Sequence, residues 1–180
     1  MLEEIYKQLE RNFEETIKIR RYLHQHPELS FEEEETPKLI ARFLKEMGIE
    51  VREGVGGRGV VGIIRGGQPG KTVALRADFD ALPIQDLKEV SYRSTVPGKM
   101  HACGHDAHTA ILLSVAKVLQ EKREWLCGNV VLIHQFAEEL VPGGAIEMIK
   151  DGCLDGVDVI FGTHLWSTIP VGQAAFQPQA

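Results

Sequence analysis

Long apolar runs, basic clusters and paired cysteines are all missing from this sequence. Nowhere do about 18 apolar residues stand together, so no transmembrane helix is expected. Twenty Lys and Arg face 26 Asp and Glu, for a net charge of −6, and no Lys/Arg run offsets that balance on a phosphate backbone. Nucleic acid and membrane are therefore excluded as expected partners. Cys103, Cys127 and Cys153 are odd in number and widely spaced, which gives no disulfide framework and makes a reducing cytoplasm the default location. The opening stretch MLEEIYKQLERNFEETIKIRRYL is acidic and amphipathic, unlike a secretory leader. Repeats, low-complexity tracts and linkers are absent too. What remains is ordinary: 180 residues, 43% hydrophobic and 26% charged, enough to bury about 70% of the unfolded surface without staples. A bound metal would then serve chemistry.

Apolar residues Leu2, Ile5, Leu9, Phe13, Ile17 and Leu23 recur mostly at helical spacing until Pro27, which predicts a helix over about 2–25. A second helix is expected after Thr36 as cap and Pro37 in the first turn, ending at Gly48. The run Glu32–Glu35 beside its start reads as a solvated, dipole-favourable entry. Strands are expected over 49–52, 59–65 and 72–77 as neighbours, with Gly66, Gly67, Pro69 and Gly70 as the turn between the last two. A largely buried helix over about 107–122 follows, then apolar strands over 129–136 and 157–161 around a helix over 144–150. This order predicts an α/β sandwich. No closing helix is expected over 173–180.

Polar groups follow the strands directly: Asp78 and Asp80, then Glu138 and Glu139, then His164. Ligands of open α/β sheets bind outside the carboxyl ends of strands, so these ends point to one crevice. His101, Cys103, His105, Asp106 and His108 precede the buried helix, with Asp106 as its expected N-cap, and join the same rim if that helix packs on the sheet. A thiolate, imidazoles and a carboxylate are donors that divalent zinc accepts. Adjacent Glu138 and Glu139 suit a division in which one holds metal and the other takes a proton from metal-bound water. The plain alternatives are inert thiols, satisfied histidines and solvated carboxylates. A Cys103 nucleophile with His105 or His108 as base competes, but leaves Glu139 and His164 without a role.

The stretches RRYLHQHPELSFEEEET, RADFDALPIQD, MHACGHDAHTA, AEE, GGA and FGTHLW carry a resemblance over essentially the whole chain. The sequence resembles the metal-dependent N-acyl-amino-acid amidohydrolases, the aminoacylase, hippurate-hydrolase and auxin-conjugate-hydrolase branch of the carboxypeptidase-G-like metallopeptidases. The resemblance implies a zinc-exopeptidase-like sandwich of a mixed, largely parallel sheet with helices on both faces. It implies Cys103, His105, Glu139 and His164 as metal ligands, Glu138 as general base and Asp78 as a supporting acidic residue. Two divalent ions, zinc or manganese, are implied for the complete family fold, with Cys103 bridging, and fewer in this chain is left open. The implied reaction is hydrolysis of small-molecule N-acyl amino acids by metal-bound hydroxide, with a homo-oligomer left open. The resemblance also implies that residues 1–180 are the N-terminal part of the catalytic domain, without the lid and dimerisation domain or the resumed C-terminal part. The alternative expectation is an inactive remnant that keeps the fold and partial metal binding, acting at most as a binding or partner protein.

Overall fold

A computed structural model describes residues 2–176; positions 177–180, part of the stretch expected to lack a closing helix, lie outside the described residues. The elements in chain order are α1 (Leu2–Gln25), α2 (Glu35–Glu46), β1 (Glu50–Val55), β2 (Gly59–Arg65), β3 (Gln68–Asp78), α3 (His105–Glu121), β4 (Cys127–Gln135), α4 (Gly144–Lys150) and β5 (Val159–Gly162). A short 3-10 turn, Arg123–Trp125, leads into β4. Among the described residues no helix is long and apolar enough to cross a membrane.

The five strands form one mixed sheet in the order β1-β2-β4-β3-β5. β1 with β2 and β2 with β4 pair antiparallel, whereas β3 with β4 and β3 with β5 pair parallel. The sequence pattern predicts β2 and β3 as neighbours; instead β4 lies between them. β4 suits the central place, with six of its nine residues, Val131–Gln135 among them, buried. β3 also starts earlier than expected, because Pro69 and Gly70 sit at a register irregularity between Gln68 and Thr72 rather than in the turn.

Helices cover both faces. A β-carbon at Gly62 of β2 would touch Leu44 of α2, and one at Gly59 would run into Met148 of α4. These positions have opposite parity in one strand, so α2 and α4 lie against opposite faces. α3 packs on α1, α2 and β3. The core joins Leu23, Ile40, Leu44, Ile64, Leu113, Leu132 and Met148, each nearly or fully buried, and each such side chain contributes about 1.5–3 kcal/mol by leaving water.

The helix ends differ from expectation. Thr36 lies inside α2, not at its cap. Its place is taken by Glu28, whose carboxylate accepts the backbone N–H groups of Glu34, Glu35 and Thr36 at 3.0, 3.0 and 2.8 Å, satisfying donors that a helix start leaves free. Asp106 is likewise not the cap of α3; Gly104 holds that position at φ 118°, a region open to glycine. Asp106 is buried and takes His24 Nδ1–H at 2.7 Å and Arg20 Nε–H at 2.9 Å, tying α1 to α3. Only the C-terminal half of the α1 stripe is covered: Ile19 and Leu23 are buried, whereas Leu2, Tyr6 and Phe13 are exposed.

Candidate metal centre

Because β3, β4 and β5 run parallel, their carboxyl ends share one edge of the sheet. Asp78 closes β3, Glu138 and Glu139 follow β4, and His164 follows β5. The N-terminus of α3 delivers Cys103 and His105 to the same edge. All six residues singled out in the sequence, Asp78, Cys103, His105, Glu138, Glu139 and His164, are brought together here.

His105 is the hub. It shares ligand-type clusters with Cys103 and His164, with Asp78 and His108, and with Glu138 and Glu139, the donor atoms of each cluster lying within 4.8 Å of one another. Its Nδ1 faces Asp80 Oδ1 at 3.1 Å, and its Nε2 lies 3.6 Å from Asp78 Oδ2, 3.8 Å from Glu138 Oε2 and 3.7 Å from Glu139 Oε1. Cys103 Sγ lies 3.4 Å from His164 Nε2. His164 is exposed, Glu138 and Glu139 are partly exposed, and His105 and Asp78 are fully buried, so the centre is dry at its floor and open at its mouth.

Two atoms at the floor test whether a cation fits. His105 Nε2 and Glu139 Oε1 are buried and have no hydrogen-bond partner. A buried polar atom without a partner carries a full desolvation penalty, which a divalent ion between an imidazole, a carboxylate and a thiol would remove. The donor set matches zinc-type chemistry.

The surroundings hold these ligands in place. Asp80 receives Ser30 Oγ–H at 2.6 Å and the Glu139 backbone N–H at 3.0 Å. Burial pushes the Asp80 carboxyl up, but the hydrogen bonds from His105, Glu139 and Ser30 outweigh it and bring it to about 2. Burial opposes a charged His105, yet Asp80, Asp78 and Glu139 leave its proton affinity raised. The Cys103 thiol is pushed up to about 12 by burial and by the nearby Glu139, Asp78 and Glu138. That environment disfavours the free thiolate that a cysteine nucleophile needs, and the imidazole the sulfur meets at 3.4 Å is that of His164.

His108 was visible in the sequence without a role. Its Nε2 accepts the Leu165 backbone N–H at 2.9 Å, so its Nδ1 carries the proton and donates it to Asp78 Oδ1 at 2.7 Å. Asp78 also pairs with Arg76 at 2.5 Å. His108 thus links the end of β3 to the segment that carries His164. Glu33 is the clearer omission: the expected solvated entry is correct for Glu32 and Glu35, which pair with Lys99 and Lys38, but Glu33 is fully buried beneath the 137–139 segment. Nothing in a run of four glutamates marks which one turns inward.

A mixed-sheet α/β fold with Cys, His and carboxylate donors gathered at the strand ends defines a class of metal-centre proteins. Residues 74–179 match the model of Peptidase family M20/M25/M40. The chain belongs to this family. It is 60% identical over 177 residues to YhaA of Bacillus subtilis (strain 168), covering 98% of this chain and 45% of YhaA. It is 46% identical over 171 residues to an N-acyl-L-amino acid amidohydrolase of Geobacillus stearothermophilus, covering 95% of this chain and 46% of that protein. The crystal structure of Bacillus subtilis YXEP, described as a dinuclear metal binding peptidase of the M20 family, superposes with a TM-score of 0.83 at 46% identity, over 88% of this chain and 44% of YXEP. The chain spans less than half the length of these relatives.

Proposed function

We propose that this chain carries the metal-binding part of an amide hydrolase that acts on N-acyl amino acids. The observation that carries the reading is the pair of buried, unpartnered atoms His105 Nε2 and Glu139 Oε1, which face each other at 3.7 Å beside Cys103. The substrate class is supported by similarity to the N-acyl-L-amino acid amidohydrolase, and a pair of divalent ions by similarity to the dinuclear YXEP. Cys103, His105, Glu139 and His164 would hold zinc or manganese. When bound, such an ion polarises the amide carbonyl and lowers the pKa of water to about 7.

The remaining work falls to the chain's own residues. Glu138 lies beside His105 with its carboxylate partly in solvent, where it takes a proton from the attacking water and returns it to the departing amine. Asp80 orients His105 through Nδ1, leaving Nε2 free to face the centre. Asp78 supports the opposite side through His108. The open mouth, where His164, Leu165 and Trp166 are exposed, favours a second reading for the chain by itself: it holds metal but turns over slowly, because water is not excluded from the reacting amide.

The test is metal content after dialysis, by atomic emission, combined with turnover of N-acetyl and N-benzoyl amino acids with zinc or manganese. Metal is expected in the wild type and in Cys127→Ala, and sharply less in Cys103→Ala. Equal metal in all three refutes the site. Turnover in the range of about 1–10³ per second by this chain alone refutes the second reading.

A further inference from the structure

Glu33 is a carboxylic acid in a place where a protein core usually puts leucine. It is fully buried, and burial raises it to about 7. The nearby Arg58 guanidinium donates to the Glu33 backbone oxygen, not to the side chain, and Oε2 has no partner at all. Beyond its own backbone, the hydrogen bond its carboxylate makes among the described residues is from the Ala137 N–H to Oε1, at 2.8 Å. Burying so polar a group with one contact to a distant segment points to that contact as its purpose.

Ala137 is itself unusual. Its φ is +47°, and Phe31, at +65°, is the other non-glycine residue with positive φ among the described residues. Both lie where the 30–33 loop meets the 136–139 segment. There Phe31 and Phe136 pack edge to face at 5.9 Å, and Ser30 binds the same Asp80 carboxylate as the Glu139 N–H. The left-handed region is unfavourable for alanine and persists only when the surroundings impose it. The Ala137 backbone is gripped on both sides: Glu33 takes its N–H, and Gly144 N–H donates to its carbonyl at 3.0 Å. Gly144 can approach this closely because it lacks a β-carbon, which would lie 2.2 Å from Phe136 O.

We propose that Glu33 is a positioning residue: by holding the Ala137 N–H it fixes the left-handed bend that aims Glu138 and Glu139 at His105. The inference rests on the reading of that site as a metal centre, but the bend itself is measurable without metal. The acceptor oxygen is what matters, so glutamine keeps the function and alanine removes it.

The experiment uses the 180-residue chain, with residue-resolved amide hydrogen exchange and zinc titration for wild type, Glu33→Gln and Glu33→Ala. In wild type and Glu33→Gln the Ala137 amide is protected, and zinc binds with near-equal affinity. In Glu33→Ala that amide exchanges freely and zinc affinity falls by about 10–100-fold, the usual cost of losing support behind a metal ligand, while Val131 and Leu132 in β4 stay protected. Unchanged Ala137 exchange in Glu33→Ala overturns the proposal, as does a lowered melting temperature with unchanged zinc affinity. If Glu33→Ala does not fold, fast Ala137 exchange in folded wild type or weakened zinc binding by Glu33→Gln overturns it. If the wild type takes up no zinc, the metal reading fails, and the exchange at Ala137 still decides whether Glu33 holds the bend.

Discussion

Asp80 and Glu139 are joined by one hydrogen bond, from the Glu139 backbone N–H to Asp80 Oδ2 at 3.0 Å, while the other oxygen of the same carboxylate faces His105 Nδ1 at 3.1 Å. One side chain beyond the end of β3 therefore sets the direction of two candidate ligands from two other elements. Asp80→Asn replaces an acceptor oxygen by an N–H₂ group that opposes one of these donors. Zinc affinity is expected to fall by about 10–100-fold with the fold retained, measured by titration calorimetry alongside circular dichroism. Unchanged affinity would show that Asp80 does not orient the ligands.

The adjacent glutamates separate by phenotype. In a polypeptide with the full length of its relatives, Glu138→Gln is expected to keep metal and lose turnover by about 10²–10⁴, the span of general acid–base help. Glu139→Gln is expected to lose metal. Metal analysis and kcat on the same preparations distinguish the two, and exchanged phenotypes would reverse the roles.

Asp106 binds α1 to α3 through His24 and Arg20. Asp106→Ala removes the closer of two carboxylates facing a buried imidazole, leaving Asp86 at 3.4 Å, and the anchor of a half-buried guanidinium. The expected loss is about 3–5 kcal/mol, as for other broken buried pairs, read from the urea midpoint at constant m-value. A loss below about 1 kcal/mol, the range of a surface pair, would show that α1 docks by its apolar residues alone.

Burial brings His134 on β4 down to about 3 from 6.5. Between these values the unfolded chain binds more protons than the folded one. The stabilising contribution is therefore whole above pH 6.5 and is lost as the pH falls, at up to about 1.4 kcal/mol per pH unit. His101, brought down to about 4 by its burial, acts in the same sense. His134→Leu is expected to flatten the slope of unfolding free energy between about pH 4 and pH 6, followed by thermal or urea unfolding. An unchanged slope would place the proton uptake elsewhere.

Much of the fold was legible because its signals are local. Pro27 ends the first helix, β2 spans the residues its apolar run marks, and α4 spans 144–150 as expected. The candidate ligands stood out because they combine rare side-chain types with positions just after strands. Strand order was not legible, since β4 between β2 and β3 depends on pairing across long separations rather than on any short pattern. The caps were misread for a related reason. Thr36 and Asp106 are good capping residues by type, but Glu28 reaches in from outside the second helix and Asp106 is claimed by His24. Glu33 shows the limit most sharply, because its environment is made by Ala137, 104 residues away.

The insertion of β4 between two earlier strands also bears on the order in which the molecule assembles during synthesis. Thr72 of β3 lies beside Asn129 of β4, 57 residues later. A growing chain that has reached the end of α3 holds β1 and β2 as a hairpin, while β3 still lacks the strand that joins it to them. Closing so long a loop is slow compared with forming the hairpin. When β4 arrives it unites the two halves, and Glu138 and Glu139 follow within a few residues. The two glutamates thus join Asp78 and His105 only once β4 has paired, so the carboxylates that follow β4 reach the site late in assembly.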